Sequence, residues 1–86
     1  MKVLAIGQLT GKDILPHLVA EGRRVAELRA DGFVRDVFLK ADRSGPILIL
    51  NDTSAADAPG RLATLPFVEH DLVTFDYIEL ADNSPA

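Results

Sequence analysis

Residues 13–32, DILPHLVAEGRRVAELRADG, form the one long helical pattern in the chain. At ~100° per residue, one face of this helix is an apolar stripe that is widened along one side. The stripe consists of Ile14, Leu18, Val25 and Leu28, and the widening consists of Leu15, Val19 and Ala26. Asp13 is a candidate N-cap, Pro16 falls in the first turn, and Gly32 follows the last turn. We therefore expect a helix over residues 13–32 that packs on a sheet.

An acidic residue interrupts this apolar face. Glu21 lies within the stripe, and His17 and Arg24 lie about one turn before and after it. Residues three or four apart are neighbours on a helix, so these three side chains are expected to be within contact distance. Gly22 falls near the middle of the expected buried face. It predicts either a close approach to a sheet or room for a ligand.

The rest of the chain contains four strand patterns and one weaker helical pattern. The strand patterns are residues 2–9, 33–41, 46–50 and 72–80. Residues 42–45 have turn composition, so the second and third strands are expected to form a hairpin. The weaker helix covers residues 55–65 and is expected to become regular near Ala58, with Asp57 as an alternative cap and Pro66 ending it.

The order of elements is β-α-β-β-α-β. It predicts an α+β protein with the ferredoxin-like fold, in which both helices cover one face of a four-stranded antiparallel sheet. We expect this single domain to span residues 1–81 and the polar residues 82–86 to be a flexible tail. The third strand, PILIL, is apolar at every position, which is typical of a strand buried on both faces. Because two helices cover only one face, we expect a second copy of the chain to cover the other, giving a homodimer.

Composition excludes several classes of function. The chain has 86 residues and no cysteine, so it has no disulfide, thiolate nucleophile or cysteine metal site. The formal charge of −4 argues against nucleic-acid binding, and no apolar run approaches the ~20 residues of a membrane span. His17 and Glu21 have helical spacing but no clear third ligand, so no metal is expected. No glycine spacing fits a phosphate loop, and no cofactor is expected. The N-terminus reads as a strand without signal-peptide features, so a cytoplasmic location is the default.

Three motifs together resemble the dimeric α/β-barrel superfamily, and within it the muconolactone isomerase-like and YciI-like families. They are the E-x₁₀-G helix from Glu21 to Gly32, the segment FVRDVFLKADRSGPILIL that follows it, and LATLPFVEHDLVTFDYIEL, which leads into the last strand. The resemblance covers nearly the whole chain. It implies the ferredoxin-like fold, pairing of two sheets into a barrel, and catalysis without a cofactor.

The resemblance also assigns a role to Glu21. In muconolactone isomerase a glutamate on this helix is linked to proton transfer, and Glu21 occupies the matching position. YciI-like proteins usually have a histidine there. Phe38 stands where the isomerase usually has a tryptophan, and the chain has no tryptophan. The implied activity is an isomerase or lyase that moves a proton in a small, acidic, ring-derived metabolite.

Each candidate residue has a functional and a structural interpretation. Glu21 is a general acid or base in a pocket, or else it forms an ion pair with Arg24 or His17. His17 is a second catalytic candidate or a surface residue. Four further residues are candidates for binding a small-molecule ligand: Arg24 for a carboxylate, His70 at a pocket mouth, and Phe38 and Tyr77 as pocket walls.

Two other functions remain open beside the isomerase. One is a ligand-binding or assembly module without catalysis. The other is a cofactor-free monooxygenase of aromatic polyketide metabolism, an activity that other relatives in the superfamily have.

Overall fold

A four-stranded antiparallel sheet forms one layer of the protein. The computed structural model describes residues 1–81; the tail predicted for residues 82–86 lies outside the described residues. The strands are β1 (Lys2–Leu9), β2 (Val34–Leu39), β3 (Pro46–Leu50) and β4 (Val73–Leu80). Their order across the sheet is β2-β3-β1-β4, and all three neighbouring pairs are antiparallel. The four predicted strands and the β2–β3 hairpin are therefore confirmed, with β2 and β4 shorter than predicted.

The first helical segment begins later than predicted. Leu15–His17 is a turn of 3-10 helix, and the α-helix α1 runs over Leu18–Ala30. A carboxylate oxygen of Asp13 accepts a hydrogen bond of 3.0 Å from the Leu15 amide, but the N-cap positions are Ile14 for the 3-10 turn and His17 for α1, so Asp13 is not the N-cap of either. Pro16 lies in that turn, where a missing N–H costs little. Gly32, with φ of 86°, follows the C-cap of α1 as predicted.

Two short helices replace the single second helix predicted from the sequence. They are α2 (Ala58–Leu62) and α3 (Pro66–Glu69), and Asp57 occupies the N-cap position of α2 as predicted. The interpretation of Pro66 as a helix terminator is wrong, because Pro66 begins α3. Proline is favoured at the first helical position, since the amide there has no partner within the helix.

The hydrophobic core lies on one face of the sheet. Alternate residues of β1 and β3 point into it, and Leu28 of α1 and Leu62 of α2 are almost fully buried against them. The strand residues concerned are Val3, Ala5, Leu48 and Leu50. Phe67 of α3 is buried in a smaller neighbouring cluster with Leu72 and Val73. No helix of the described residues is long and apolar enough to cross a membrane.

The opposite face of the sheet is apolar and has no cover among residues 1–81. Directly paired residues lie on the same face, and two such rows run across this side. The apolar residues of one row are Ile78, Leu4 and Ile49, and those of the other are Ile6, Ile47 and Phe38; Asp36 ends the first row and Asp76 ends the second. Phe38 is 57% exposed and Ile78 is 48% exposed, while the other four are partly buried. We call this six-residue surface the outer sheet face.

The apolar face of α1 is narrower than predicted. Leu15 and Val19, which were expected to widen it, are 70% and 76% exposed. Val19 lies nine residues before the fully buried Leu28, which at ~100° per residue is half a turn around the helix. Gly22 is also exposed, with no atom within 4 Å of the position of a Cβ. The expectation that Gly22 lies in the buried face is therefore wrong.

The β2–β3 turn packs closely against the end of β1. The Leu9 amide donates a hydrogen bond of 2.8 Å to the Ser44 carbonyl. A Cβ added to Gly45 would overlap the carbonyl oxygen of Gly7. A glycine is thus required at this crossing because the two backbones are in contact.

Candidate active site

An apolar cavity of about 310 Å³ lies between α1, α3 and the inner face of the sheet. Among residues 1–81, Glu21 is the one ionisable residue in its lining. The other lining residues are Leu9, Ile14, Leu18, Val25, Val37, Leu39, Pro46, Leu48, Leu65, Phe67 and Phe75. The volume falls within the range typical of small-molecule sites, which usually combine an apolar wall with a few polar groups.

Two helices position the Glu21 carboxyl at the cavity wall. Glu21 and Leu28 are seven residues apart on α1, which places them within ~20° of each other on the inward side of the helix. The Phe67 amide of α3 donates a hydrogen bond of 2.9 Å to Oε1 of Glu21. Amides in the first turn of a helix have no acceptor within the helix, so Glu21 supplies one. No hydrogen bond to Oε2 of Glu21 occurs among the described residues.

Burial raises the pKa of Glu21 above the usual range of a glutamate, and the hydrogen bond from the Phe67 amide opposes this rise only in part. Removing a carboxylate from water disfavours its charged form, whereas hydrogen bonding to that form favours it. The side chain is partly exposed, so protons from solvent reach it. A carboxyl group with a raised pKa is suited to exchange protons near neutral pH.

Arg24 does not pair with Glu21 in the described residues. Its Nε donates a hydrogen bond of 3.0 Å to Oγ1 of Thr64, and its Nη1 lies 3.2 Å from Oε1 of Glu27. Arg24 is also absent from the cavity lining. The ion pair that would have made Glu21 a purely structural residue is therefore not formed.

The two histidines contact each other. The rings of His17 and His70 are stacked, with their centroids 4.1 Å apart and an angle of 25° between their planes. This contact joins the turn before α1 to the C-terminal end of α3. Neither histidine belongs to the cavity lining. The sequence singled out both residues but gave no indication that they meet.

The two aromatic candidates lie on opposite faces of the sheet. Phe38 is paired with Ile47 on the outer sheet face, away from the cavity. Tyr77 is on the inner face, partly buried beside the core, with its ring centroid 6.3 Å from that of Phe75. Burial raises the pKa of the Tyr77 hydroxyl. Phe75 lines the cavity and Tyr77 does not.

The sequence did not lead us to predict that residues of the α3 region belong to the site. Phe67 supplies the amide that holds Glu21, and Leu65 and Phe67 both form part of the cavity wall. The available signal was Pro66, because proline preceded by an extended residue can start a helix as well as end one. Interpreting it as a terminator placed Phe67 in a loop.

A second, polar cleft of about 250 Å³ lies at the C-terminal end of α1. Two of its three charged groups pair with each other: Nη2 of Arg61 lies 3.1 Å from Oδ2 of Asp31, and the guanidinium stacks 4.2 Å from the Phe33 ring centroid. Among residues 1–81, no group of three or more potential ligand side chains is placed to hold a metal ion. The cavity at Glu21 is therefore the better candidate site.

Comparisons with known proteins do not assign the chain to a family. No family model matches it, and no curated protein matches it significantly.

Proposed function

We propose that the chain is a small cofactor-free enzyme that transfers a proton within a small molecule, as its resemblance to muconolactone isomerase implies. One observation supports this most strongly: Glu21 is the one ionisable group in an apolar cavity, and its pKa is raised by burial. A carboxyl group with a raised pKa is better matched to proton exchange near neutral pH than an ordinary glutamate. Catalysis of this kind requires no metal or organic cofactor.

The proposed reaction uses Glu21 twice. Its carboxylate removes a proton from a carbon next to a carbonyl group, which leaves a delocalised substrate anion and a neutral Glu21. The neutral Glu21, which exchanges its proton with solvent, then gives a proton to a different carbon of that anion. The double bond has moved and the Glu21 carboxylate is restored. With an uncharged substrate, one negative charge is present throughout, so the apolar wall never encloses two.

The proposed site does not use all of the predicted residues. The binding of an acidic metabolite was expected to depend on Arg24, but its guanidinium contacts Thr64 and Glu27. His17 and His70 contact each other outside the cavity lining. The arrangement thus supports proton transfer by Glu21 without supporting a cationic anchor for a carboxylate.

We also propose the ferredoxin-like fold and a homodimer that pairs two sheets. The strand order β2-β3-β1-β4 supports the first proposal, since β1 and β2 are joined through α1 with β3 between them. The outer sheet face supports the second, because exposed apolar surfaces of this kind mark interaction sites. A second outer sheet face would present the same apolar residues to it.

Proton transfer can be tested by ¹H NMR in D₂O. A suitable panel contains an uncharged butenolide, a butenolide with a carboxymethyl group and a β,γ-unsaturated cyclic ketone. We expect the wild type to accelerate deuterium incorporation into at least one of them, and Glu21→Gln to slow it by about 10²-fold or more. Glu27→Gln, the same change on the same helix but outside the cavity, should have little effect. No acceleration with any member of the panel would contradict the proposal.

A ligand-binding module without catalysis is the second candidate. Among residues 1–81, the lining contains no side chain other than Glu21 that could stabilise a substrate anion, and this favours binding without catalysis. This candidate predicts saturable binding of a panel compound with no deuterium incorporation. The NMR experiment therefore separates the two functions.

A further inference from the structure

The cavity has no positive charge to offer a ligand. Glu21 is its one charged lining residue, and no lysine or arginine of residues 1–81 belongs to the lining. Arg24, three residues after Glu21 on α1, contacts Thr64 and Glu27. Arg61, near the other end of the helix, is engaged by Asp31. A negatively charged ligand would thus enter an apolar volume that already contains a carboxyl group.

This arrangement disfavours carboxylate ligands for two reasons. Burying an unpaired charge in an apolar environment is costly. A second carboxylate near Glu21 would also repel its charged form, which burial has already disfavoured. The cost falls when Glu21 is protonated, so discrimination against carboxylates should weaken at low pH.

The carboxyl group nevertheless offers one specific polar contact. Oε1 of Glu21 accepts the Phe67 amide, which fixes the orientation of the group. Oε2 accepts no hydrogen bond from the described residues and is available to a ligand donor. An uncharged ligand with one hydroxyl or N–H group would satisfy this oxygen, while its apolar remainder contacts the wall formed by Val25, Leu48 and Phe75.

We propose that the cavity takes an uncharged, largely apolar ring compound with one hydrogen-bond donor or acidic C–H directed at Glu21, and that it excludes carboxylates. At a water-like ~30 Å³ for each non-hydrogen atom, about ten such atoms fill the cavity, which corresponds to one or two fused rings. The inference rests on the proposed function in taking this cavity as the substrate site. It differs from the acidic substrate that the resemblance implies.

Two naphthalene probes of nearly equal size test the ligand class. 2-Naphthol is uncharged at pH 7.5 and has one donor, whereas 2-naphthoate carries a negative charge. The chain has no tryptophan, so naphthalene fluorescence reports binding directly. We expect 2-naphthol to bind the wild type at least about tenfold more tightly than 2-naphthoate. In Glu21→Gln this ratio should fall but stay above one, because the neutral amide no longer repels the carboxylate while burial of its charge remains costly.

Val25→Phe locates the binding. The added ring fills part of the cavity and should abolish 2-naphthol binding, whereas Ala26→Phe, on the exposed side of α1, should preserve it. The inference is overturned if 2-naphthoate binds the wild type as tightly as 2-naphthol, if neither probe binds, or if Val25→Phe still binds 2-naphthol.

Selective 2-naphthol binding without any deuterium incorporation would uphold the ligand class and reject proton transfer. Deuterium incorporation into the carboxymethyl butenolide, together with tight 2-naphthoate binding, would uphold proton transfer and reject the ligand class.

Discussion

The Phe67 amide donates a hydrogen bond of 2.9 Å to Oε1 of Glu21 and so connects two residues 46 positions apart. The contact fixes the carboxyl group of α1 against the first turn of α3. It leaves Oε2 directed to no partner among the described residues, beside a wall of apolar side chains. The contact thus orients the Glu21 carboxyl group and leaves Oε2 available to a ligand or substrate.

The sign of the effect of Glu21 on stability follows from its raised pKa. The stability that such a carboxyl contributes is fully present below its unfolded pKa of ~4.3, and it is lost as the pH rises through the folded pKa. Glu21→Gln should therefore leave the free energy of unfolding at pH 7 unchanged or raise it by less than about 1 kcal/mol, since a partly exposed charge is screened. At pH 3 the two proteins should be equally stable. Thermal melts at both pH values measure this, and a clear loss confined to pH 7 would make Glu21 a structural residue.

Filling the cavity should separate ligand binding from folding. Val25→Phe adds a ring to a lining residue beside about 310 Å³ of space, so we expect the free energy of unfolding to change by less than about 1.5 kcal/mol. Proton-transfer activity should nevertheless fall to background. Ala26→Phe introduces the same ring on the exposed side and should retain activity. Full activity in Val25→Phe would place the reaction elsewhere.

The proposed homodimer predicts a selective effect of charge on the outer sheet face. Phe38 and Ile78 are both exposed in the single chain, so Phe38→Lys and Ile78→Lys should cost a monomer little. In a dimer either lysine would be buried, and loss of a central contact there costs about 2 kcal/mol or more. Sedimentation and melts over a range of concentrations should show weaker association. Leu15→Lys, at a more exposed apolar position on the helical side, is the control. A wild type that is a stable folded monomer at micromolar concentration would contradict the dimer.

Two glycines should respond to alanine in opposite ways. Gly22 lies within α1 with open space around it, so Gly22→Ala should stabilise the protein by about 0.5–1 kcal/mol through the lower entropy of the unfolded chain. Gly45→Ala should destabilise by about 1–3 kcal/mol, because the new methyl group meets the Gly7 backbone. Chemical denaturation measures both changes. A destabilised Gly22→Ala protein would mean that α1 packs closely against another surface at this point.

The strands were predictable from the sequence because their local signals are strong. Short apolar segments such as PILIL, bounded by turn residues, predict strands regardless of tertiary context. The end of α1 at Gly32 was equally clear, because a left-handed C′ residue favours glycine. The start of α1 was not clear, since Asp13 and Pro16 fit a 3-10 turn as well as an α-helix.

The site was only partly predictable. Glu21 was identifiable because a charged residue in an apolar helical stripe is unusual. Its actual partner, Phe67, contributes a backbone amide, so the side chain of Phe67 gave no indication of this contact. Arg24 had the correct spacing for Glu21, but Glu27 lies at the same spacing and Thr64 competes through the tertiary structure. Phe38 was predicted to be a pocket wall but lies on the outer sheet face, because a bulge between Val34 and Asp36 sets the register of β2.

The central claim is that Glu21 is a desolvated carboxyl group in a ligand cavity. It is tested most directly by following the ¹³C resonance of its carboxyl carbon from pH 3 to pH 9, with Glu21→Gln to assign the signal. We predict a pKa above the ordinary ~4.3 of a glutamate, because burial outweighs the hydrogen bond from the Phe67 amide. A pKa at or below that ordinary value would contradict the account.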